Sequence, residues 1–136
     1  MDTFATAITC IDGRVQQPVN DWVKLLMNVR YVDLITEPGP DKVLAEGPIE
    51  IRNDVVRKVR FSIRHHHSKV LALVGHDSCA ANSASREEHI EQIIEGVKFL
   101  VSCQMDVRVV GLWVNEWGSV DQICDTKERE LVTSYL

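Results

Sequence analysis

The sequence predicts an α/β fold: a mostly parallel β-sheet flanked by helices, with an antiparallel strand at one edge. Three observations lead there. Short apolar runs alternate along the chain with longer segments of helical period, the order that builds a parallel sheet from strand–helix units. Runs such as Val70 to Val74 are continuously apolar, which suits strands covered on both faces. The turn at Trp117-Gly118 separates the last two apolar runs, a connection short enough to pair them antiparallel.

Each element follows from local pattern. Thr3 to Ile11 is β-branched and apolar and reads as a buried strand. A helix is expected from Val19 to Val29, where Trp22, Leu25, Leu26 and Val29 recur at helical spacing. Val32 to Thr36 reads as a second strand. It is ended by Glu37-Pro38-Gly39-Pro40, which continues neither regular structure. Ile49 to His65 is helix-like, because Ile51, Val55, Val59 and Ile63 recur every four residues. Val70 to Val74 is the third strand. Ser85-Arg86-Glu87-Glu88 is a capping box that opens the next helix. Ile90, Ile93, Ile94, Val97 and Leu100 form its apolar stripe. Val107 to Val114 is the fourth strand and Val120 to Cys124 the last. A polar helix is expected from Thr126 to the C-terminus.

Composition narrows the function classes. The 136 residues, 45% hydrophobic and 26% charged, are expected to form a single domain, 1–136. A chain of this size buries about two-thirds of its unfolded surface. This excludes a disordered chain, a fibre and a coiled coil. No apolar run approaches the roughly 18 residues that span a bilayer, so no membrane partner is expected. Nothing before the first strand resembles an export signal, so a cytoplasmic location is expected. The four cysteines are too few for a disulfide scaffold and are expected to be reduced. With a net charge of -5 and basic residues scattered, apart from a cluster between Arg57 and Lys69, no nucleic-acid footprint is present.

Two segments carry the chemistry, and both follow predicted strands. The first is Cys10-Ile11-Asp12-Gly13-Arg14. On an extended chain, Cys10, Asp12 and Arg14 project to one side. The second is Gly75-His76-Asp77-Ser78-Cys79. His76 and Cys79, three apart in a tight loop, can reach one metal ion. Ligands in open parallel sheets bind beyond the carboxyl ends of strands, where strand order reverses. If the first and third strands are neighbours, Cys10, His76 and Cys79 converge there. Two thiolates and one imidazole suit Zn2+, with the fourth position left for water or a carboxylate. Asp12 is the nearest carboxylate, and Arg14 competes for it through a charge-assisted hydrogen bond. That competition is a switch. Asp12 on the metal closes the site, and Asp12 on Arg14 admits a water. Taken singly, each residue has an ordinary structural role: a loop histidine, a buried thiol, a turn aspartate.

Cys-x-Asp-x-Arg, then His-x-x-Cys after a later strand, resembles the β-class carbonic anhydrases. Val109 to Val114 followed by Gly118-Ser119-Val120 is similar to the closing strand pair of that family, so the likeness runs from about residue 4 to 123. The resemblance implies Cys10, His76 and Cys79 as zinc ligands and Asp12 and Arg14 as the dyad that controls the fourth position. It implies a metal-bound hydroxide that attacks carbon dioxide to give bicarbonate, and a homodimer or higher homo-oligomer. The chain also departs from the family. Gly13 stands where Ser is usual, Ala80 where Gly is usual, and Thr36-Glu37-Pro38-Gly39 where a stretch like Arg-Asn-Ala-Gly is usual. The chain starts at the first strand, so the helical arm that wraps a partner subunit is expected to be missing. Two other readings stay open: a structural zinc module with Asp12 permanently on the metal, and attack on a related electrophile, carbonyl sulfide or carbon disulfide.

The remaining candidates have ordinary expectations. His65, His66 and His67 point three ways on a helix and form a solvated helix end whose partial charge suits the dipole. His89 is expected to face solvent or to shuttle protons. Cys103 and Cys124 are expected as core or edge thiols, and Trp113 and Trp117 as packing residues. Asp77 and Ser78 either hydrogen-bond a bound water or its product, or cap their own loop.

Overall fold

The computed structural model describes residues 2–127. Its elements in order are β1 (Phe4–Thr9), α1 (Gly13–Leu26), β2 (Tyr31–Thr36), α2 (Pro40–Glu46), α3 (Ile49–His66), β3 (Val70–His76), α4 (Arg86–Ser102), β4 (Arg108–Val114) and β5 (Val120–Asp125). The sheet order is β2-β1-β3-β4-β5. β1 pairs parallel with β2 and β3, β3 pairs parallel with β4, and β4 pairs antiparallel with β5. The chain therefore reverses its direction of travel across the sheet between β1 and β3.

The two faces are filled differently. α1 lies alone on one face, where Val15, Val19 and Val23 pack on Ala5, Ala7, Ala72 and Val74. Those alanines let the helix approach closely. α2, α3 and α4 cover the other face, where Leu44, Val55, Val59, Val97 and Leu100 meet Ile8, Leu71 and Leu73. Successive strand residues alternate between these layers. Both layers are apolar, which is why the central strands read as unbroken runs. Among the described residues, no helix is long and apolar enough to cross a membrane.

Several boundaries differ from expectation. α1 begins at Gly13, six residues before Val19. Asp12 caps it by accepting the Arg14 N–H at 2.9 Å, and Pro18 sits inside the helix, where it forgoes one backbone bond. A proline usually marks a first turn, so it disguised the true start. β1 ends at Thr9 and β3 runs on to His76. His76 is thus the last residue of a strand, not part of the loop. α2 was not expected at all. Pro40 stands at its N1 position, a place that suits the missing N–H, so the Pro-Gly-Pro stretch ends a strand and also starts a helix. On α4, Ser85 caps as expected, accepting the Glu88 N–H at 3.2 Å. The Glu88 carboxylate, however, accepts the Ser85 hydroxyl instead of its backbone N–H. The buried face of α4 is His89, Ile93, Gly96, Val97 and Leu100, so His89 takes the place expected for Ile90.

The end of α3 shows what the three histidines do. His66 Nδ1 and Ser62 Oγ each donate to Asp33 Oδ2 at 2.7 Å, and His66 stacks on Phe4. His67 ends the helix in the left-handed conformation. The helix end is therefore not simply solvated: His66 ties it to β2, while His65 lies against Phe61. Trp113 is buried as expected, but Trp117 is 81% exposed and packs nothing. Cys103 is half-buried and without a disulfide, and Cys124 is buried beneath β4 against Gly111. Thr126 and Lys127 form a turn, and the rest of the expected C-terminal helix lies outside the described residues.

The edge strand β5 is tied to β4 by an ion pair. Arg108 Nε donates to Asp125 Oδ1 at 2.9 Å and Nη2 to Oδ2 at 2.5 Å. Burial pushes Asp125 up, but the guanidinium and the Lys127 N–H more than offset it and hold the carboxyl below the ordinary carboxylate range. A lowered folded-state pKa contributes stability above the unfolded value, and that stability is lost as pH falls through the folded value. Asp125→Asn is therefore expected to lower stability by about 1 kcal/mol near pH 7. The difference from wild type should shrink towards zero below about pH 4. Chemical denaturation across that range checks it, and a difference independent of pH would refute the ion-pair account.

Candidate metal centre

The reversal of strand order between β1 and β3 creates a crevice at their carboxyl ends. Cys10 is the first residue after β1, His76 the last of β3, and Cys79 follows in the next turn. Their ligand atoms, two sulfurs and one ring nitrogen, all lie within 4.8 Å of one another. The two sulfurs are 3.9 Å apart, far beyond a disulfide bond. Two thiolates about 2.3 Å from a tetrahedral zinc lie about 3.8 Å from each other, so this spacing suits a shared ion. All three residues are buried: Cys10 is 4%, His76 3% and Cys79 6% exposed.

The histidine carries the sharpest indication. His76 Nδ1 lies 2.7 Å from the Asp77 carbonyl oxygen. A carbonyl only accepts, so Nδ1 must hold the proton. Nε2 then presents a bare lone pair, and it is buried with no hydrogen-bond partner among the described residues. A buried nitrogen left without a partner is unfavourable. A backbone carbonyl on one ring nitrogen and an open second nitrogen is also how metal-ligating histidines are oriented. The thiols fit the same reading. Burial pushes the Cys79 thiol up, while the N–H groups of Ala81 and Asn82 oppose that by favouring the thiolate. A divalent cation would stabilise both sulfurs as thiolates.

Asp12 and Arg14 reach this crevice, but not as members of an extended strand. Asp12 is the N-cap of α1 and Arg14 its second residue. The carboxylate is held along both oxygens: Arg14 Nε reaches Oδ1 at 3.1 Å and Nη2 reaches Oδ2 at 2.7 Å. The guanidinium hydrogen bonds and the Arg14 N–H hold Asp12 well below the usual carboxylate range. Arg14 Nη2 also donates to the Ser78 carbonyl at 3.3 Å, so it links the two motif segments. Asp12 is thus engaged by Arg14.

A cavity of about 250 Å³ opens beside His76. Val15 and Val114 form its apolar side, and Arg14, Asp77, Ser78 and Glu116 its polar side. Glu37, which marked the departure from the usual family segment, does not line it. Ser78 Oγ donates to Asp77 Oδ2 at 2.8 Å, so these two side chains engage each other within their loop.

Two sets of residues escaped sequence reasoning. Gln16 Nε2 donates to the carbonyls of Cys10 at 2.6 Å and Asp12 at 3.0 Å, and so fixes the turn that carries the first motif. Its position four residues after Asp12 on a helix was the available signal, hidden by the misplaced helix start. The second set is Asp41, Asn82 and His89, all buried, with Asn82 and His89 each hydrogen-bonded to Asp41. His89 therefore does not face solvent. Its partner Asp41 lies 48 residues away, and no local pattern announces such a pairing.

Comparison with known proteins agrees with the fold. A family model described as "Putative carbonic anhydrase" matches residues 1–124. No curated protein sequence matches the chain. Among solved structures, a carbonic anhydrase from Glaciozyma antarctica is similar at 16% identity and a TM-score of 0.58, covering 88% of this chain and 81% of that one. A tetrameric β-carbonic anhydrase of Sordaria macrospora is similar at 13% identity and a TM-score of 0.56, covering 92% and 83%. The β-carbonic anhydrase of Aspergillus fumigatus gives 16% identity and a TM-score of 0.54, covering 99% and 81%. At these identities the structures establish the shared β-carbonic anhydrase fold, and the match over residues 1–124 establishes the family: the chain belongs to the putative carbonic anhydrase family.

Proposed function

We propose that this chain is a zinc-dependent lyase of the carbonic anhydrase type that hydrates carbon dioxide to bicarbonate. The observation that carries the reading is the buried cluster of Cys10, His76 and Cys79, with Asp12 held on Arg14 beside it. The donor set fits zinc: Cys10 Sγ and Cys79 Sγ as thiolates and His76 Nε2 as a neutral nitrogen would hold the ion. Bound there, zinc would supply a water acidic enough to act as a nucleophile near neutral pH.

The residues of the chain prepare that chemistry. The Asp77 carbonyl fixes the His76 ring so that Nε2 is the free ligand. Arg14 holds the Asp12 carboxylate and keeps it from completing a closed four-ligand site. Held in this way, the Asp12 carboxylate would serve as an acceptor for a water supplied by the ion. Val15 and Val114 offer an apolar wall for a small nonpolar substrate. Glu116 and Asp77 lie on the same cavity and disfavour retention of an anionic product. Residues 1–136 would act as one domain in a reducing cytosol, where the thiols stay available. Assembly as a homodimer or higher homo-oligomer is supported by the apolar Tyr31 and Leu34, which are exposed on the edge strand β2.

Untagged protein is expected to hold about one zinc per chain by elemental analysis, and Cys79→Ser to lose it. No metal in the wild-type chain would overturn the reading. Zinc-loaded protein is expected to accelerate carbon dioxide hydration above the buffer rate. Arg14→Ala should keep the zinc yet lower that rate by about 100-fold, because it frees Asp12 to move from its working position. Stopped-flow hydration of both proteins checks this. A zinc-loaded wild type with no rate above buffer would leave a structural zinc module, and hydrogen sulfide release from carbonyl sulfide would instead identify a different electrophile.

A further inference from the structure

On the face of the sheet opposite His76, a buried polar cluster grips the segment that carries Cys79. We propose that Asp41, Asn82 and His89, supported by Gln92, form a latch that positions Cys79 for its metal. The proposal rests on the zinc reading and deepens it.

Asn82 is the handle. It lies three residues after Cys79 and pairs with it in an isolated antiparallel bridge, its N–H donating to the Cys79 carbonyl at 3.2 Å. Its side chain is buried, and its two carboxamide protons have two acceptors: Asp41 Oδ1 at 3.1 Å and Gln92 Oε1 at 2.7 Å. Its own carbonyl oxygen accepts the Ala84 N–H at 3.3 Å. Every polar atom of the handle is thereby used.

Asp41 is the post. It is 1% exposed. Oδ1 also accepts the Lys42 N–H at 2.9 Å, and Oδ2 accepts His89 Nδ1 at 2.5 Å. With Nδ1–H given to Asp41, His89 has no lone pair there for Asn82, so the nearby Asn82 nitrogen at 3.3 Å is a neighbour and not a donor to it. His89 is packed by Trp113, with ring centroids 5.0 Å apart.

The backbone is shaped around this cluster. A Cβ on Gly75 would lie 2.5 Å from Asp41 Oδ2, and one on Gly39, which has φ of +57°, would lie 3.3 Å from Ala81 Cβ. α2 and α4 therefore close on residues 81 and 82 from one side. On the other side, Arg14 reaches the Ser78 carbonyl. Between them the segment after β3 has no regular structure, and Ser78 adopts φ of +57°. Burying a carboxylate and an imidazole is unfavourable against an apolar packing of the same volume. Their location, on the one segment that must present a sulfur at a fixed distance from two other ligands, gives that burial a purpose.

The test is the zinc affinity of the full chain, by competition with a chromophoric chelator. It is paired with the visible spectrum of the cobalt-substituted protein and thermal unfolding of the metal-free form. Asn82→Ala and His89→Leu are expected to weaken zinc binding about 10- to 100-fold and to alter the sulfur-to-cobalt absorption. His89→Gln, which keeps a donor for Asp41, should recover most of the affinity. If either severe variant fails to fold, Gln92→Leu, at the half-buried rim, should still weaken binding several-fold. Zinc affinity within about threefold of wild type and an unchanged cobalt spectrum, with only a lower unfolding temperature, would show a merely structural cluster and overturn the latch. A wild-type chain without zinc would overturn the metal reading and the latch together, whereas unchanged affinity in the variants refutes the latch alone.

Discussion

The parallel pairing of β1 with β3 is the constraint on which the rest depends. Thr6, Ala7 and Ile8 face Leu71, Ala72 and Leu73 in register. Because β2 lies on the far side of β1, this pair is where the chain changes direction across the sheet. The loops that leave β1 and β3 part to opposite faces and open a crevice between them. Cys10 and His76 stand at its two lips. A slip of one residue would turn the alanines that admit α1 toward the other helices. It would also turn His76 away from Cys10. The hydrophobic pattern of two ordinary strands thus sets the spacing of three reactive side chains.

Each face of the sheet contributes a different kind of support. On the α1 side the support is ionic and half in solvent. Asp12 caps a helix, Arg14 folds back onto it, and Gln16 ties the turn between them. These interactions are short-range in sequence and belong to one helix start. On the other side the support is buried and long-range, with Asp41 from α2, Asn82 from the loop and His89 from α4. Hydrogen bonds in that low-dielectric setting are strong when complete and unfavourable when broken. In the cluster, both Asp41 oxygens and the whole Asn82 carboxamide are partnered. The nitrogen left over in the crevice, His76 Nε2, is the one whose partner would be a metal ion.

The cavity beside His76 has a mixed lining. Val15 and Val114 supply its nonpolar wall, but Arg14, Asp77 and Glu116 share it. Glu37, in the stretch that departs from the usual family segment, contributes nothing to that wall. It follows β2, at the outer edge of the sheet, where its N–H donates to the Thr9 carbonyl. The departures from the usual family segments therefore fall partly away from the site.

The sheet, its edge pair and the helices α3 and α4 followed from periodicity, because burial on one face or two leaves a local pattern that a window of residues contains. Cys10, Asp12, Arg14, His76 and Cys79 could be named because the two motifs are compact and each follows an apolar run. The reason given for their meeting was partly mistaken. Asp12 and Arg14 converge through a helix cap, not through the alternation of a strand, and Pro18 hid that cap. α2 and the burial of His89 were not legible. α2 was masked because the proline that ends a strand also opens a helix, and the burial of His89 depends on Asp41, 48 residues distant, a pairing that leaves no trace in either residue's own neighbourhood. By itself the sequence determined the strand–helix order and the ligand types, since those depend on local pattern and side-chain chemistry. Only the tertiary structure decided which strands are neighbours, which tautomer His76 adopts, and where Asp12 points. Those follow from how separate segments share one buried volume, and no segment carries that information alone.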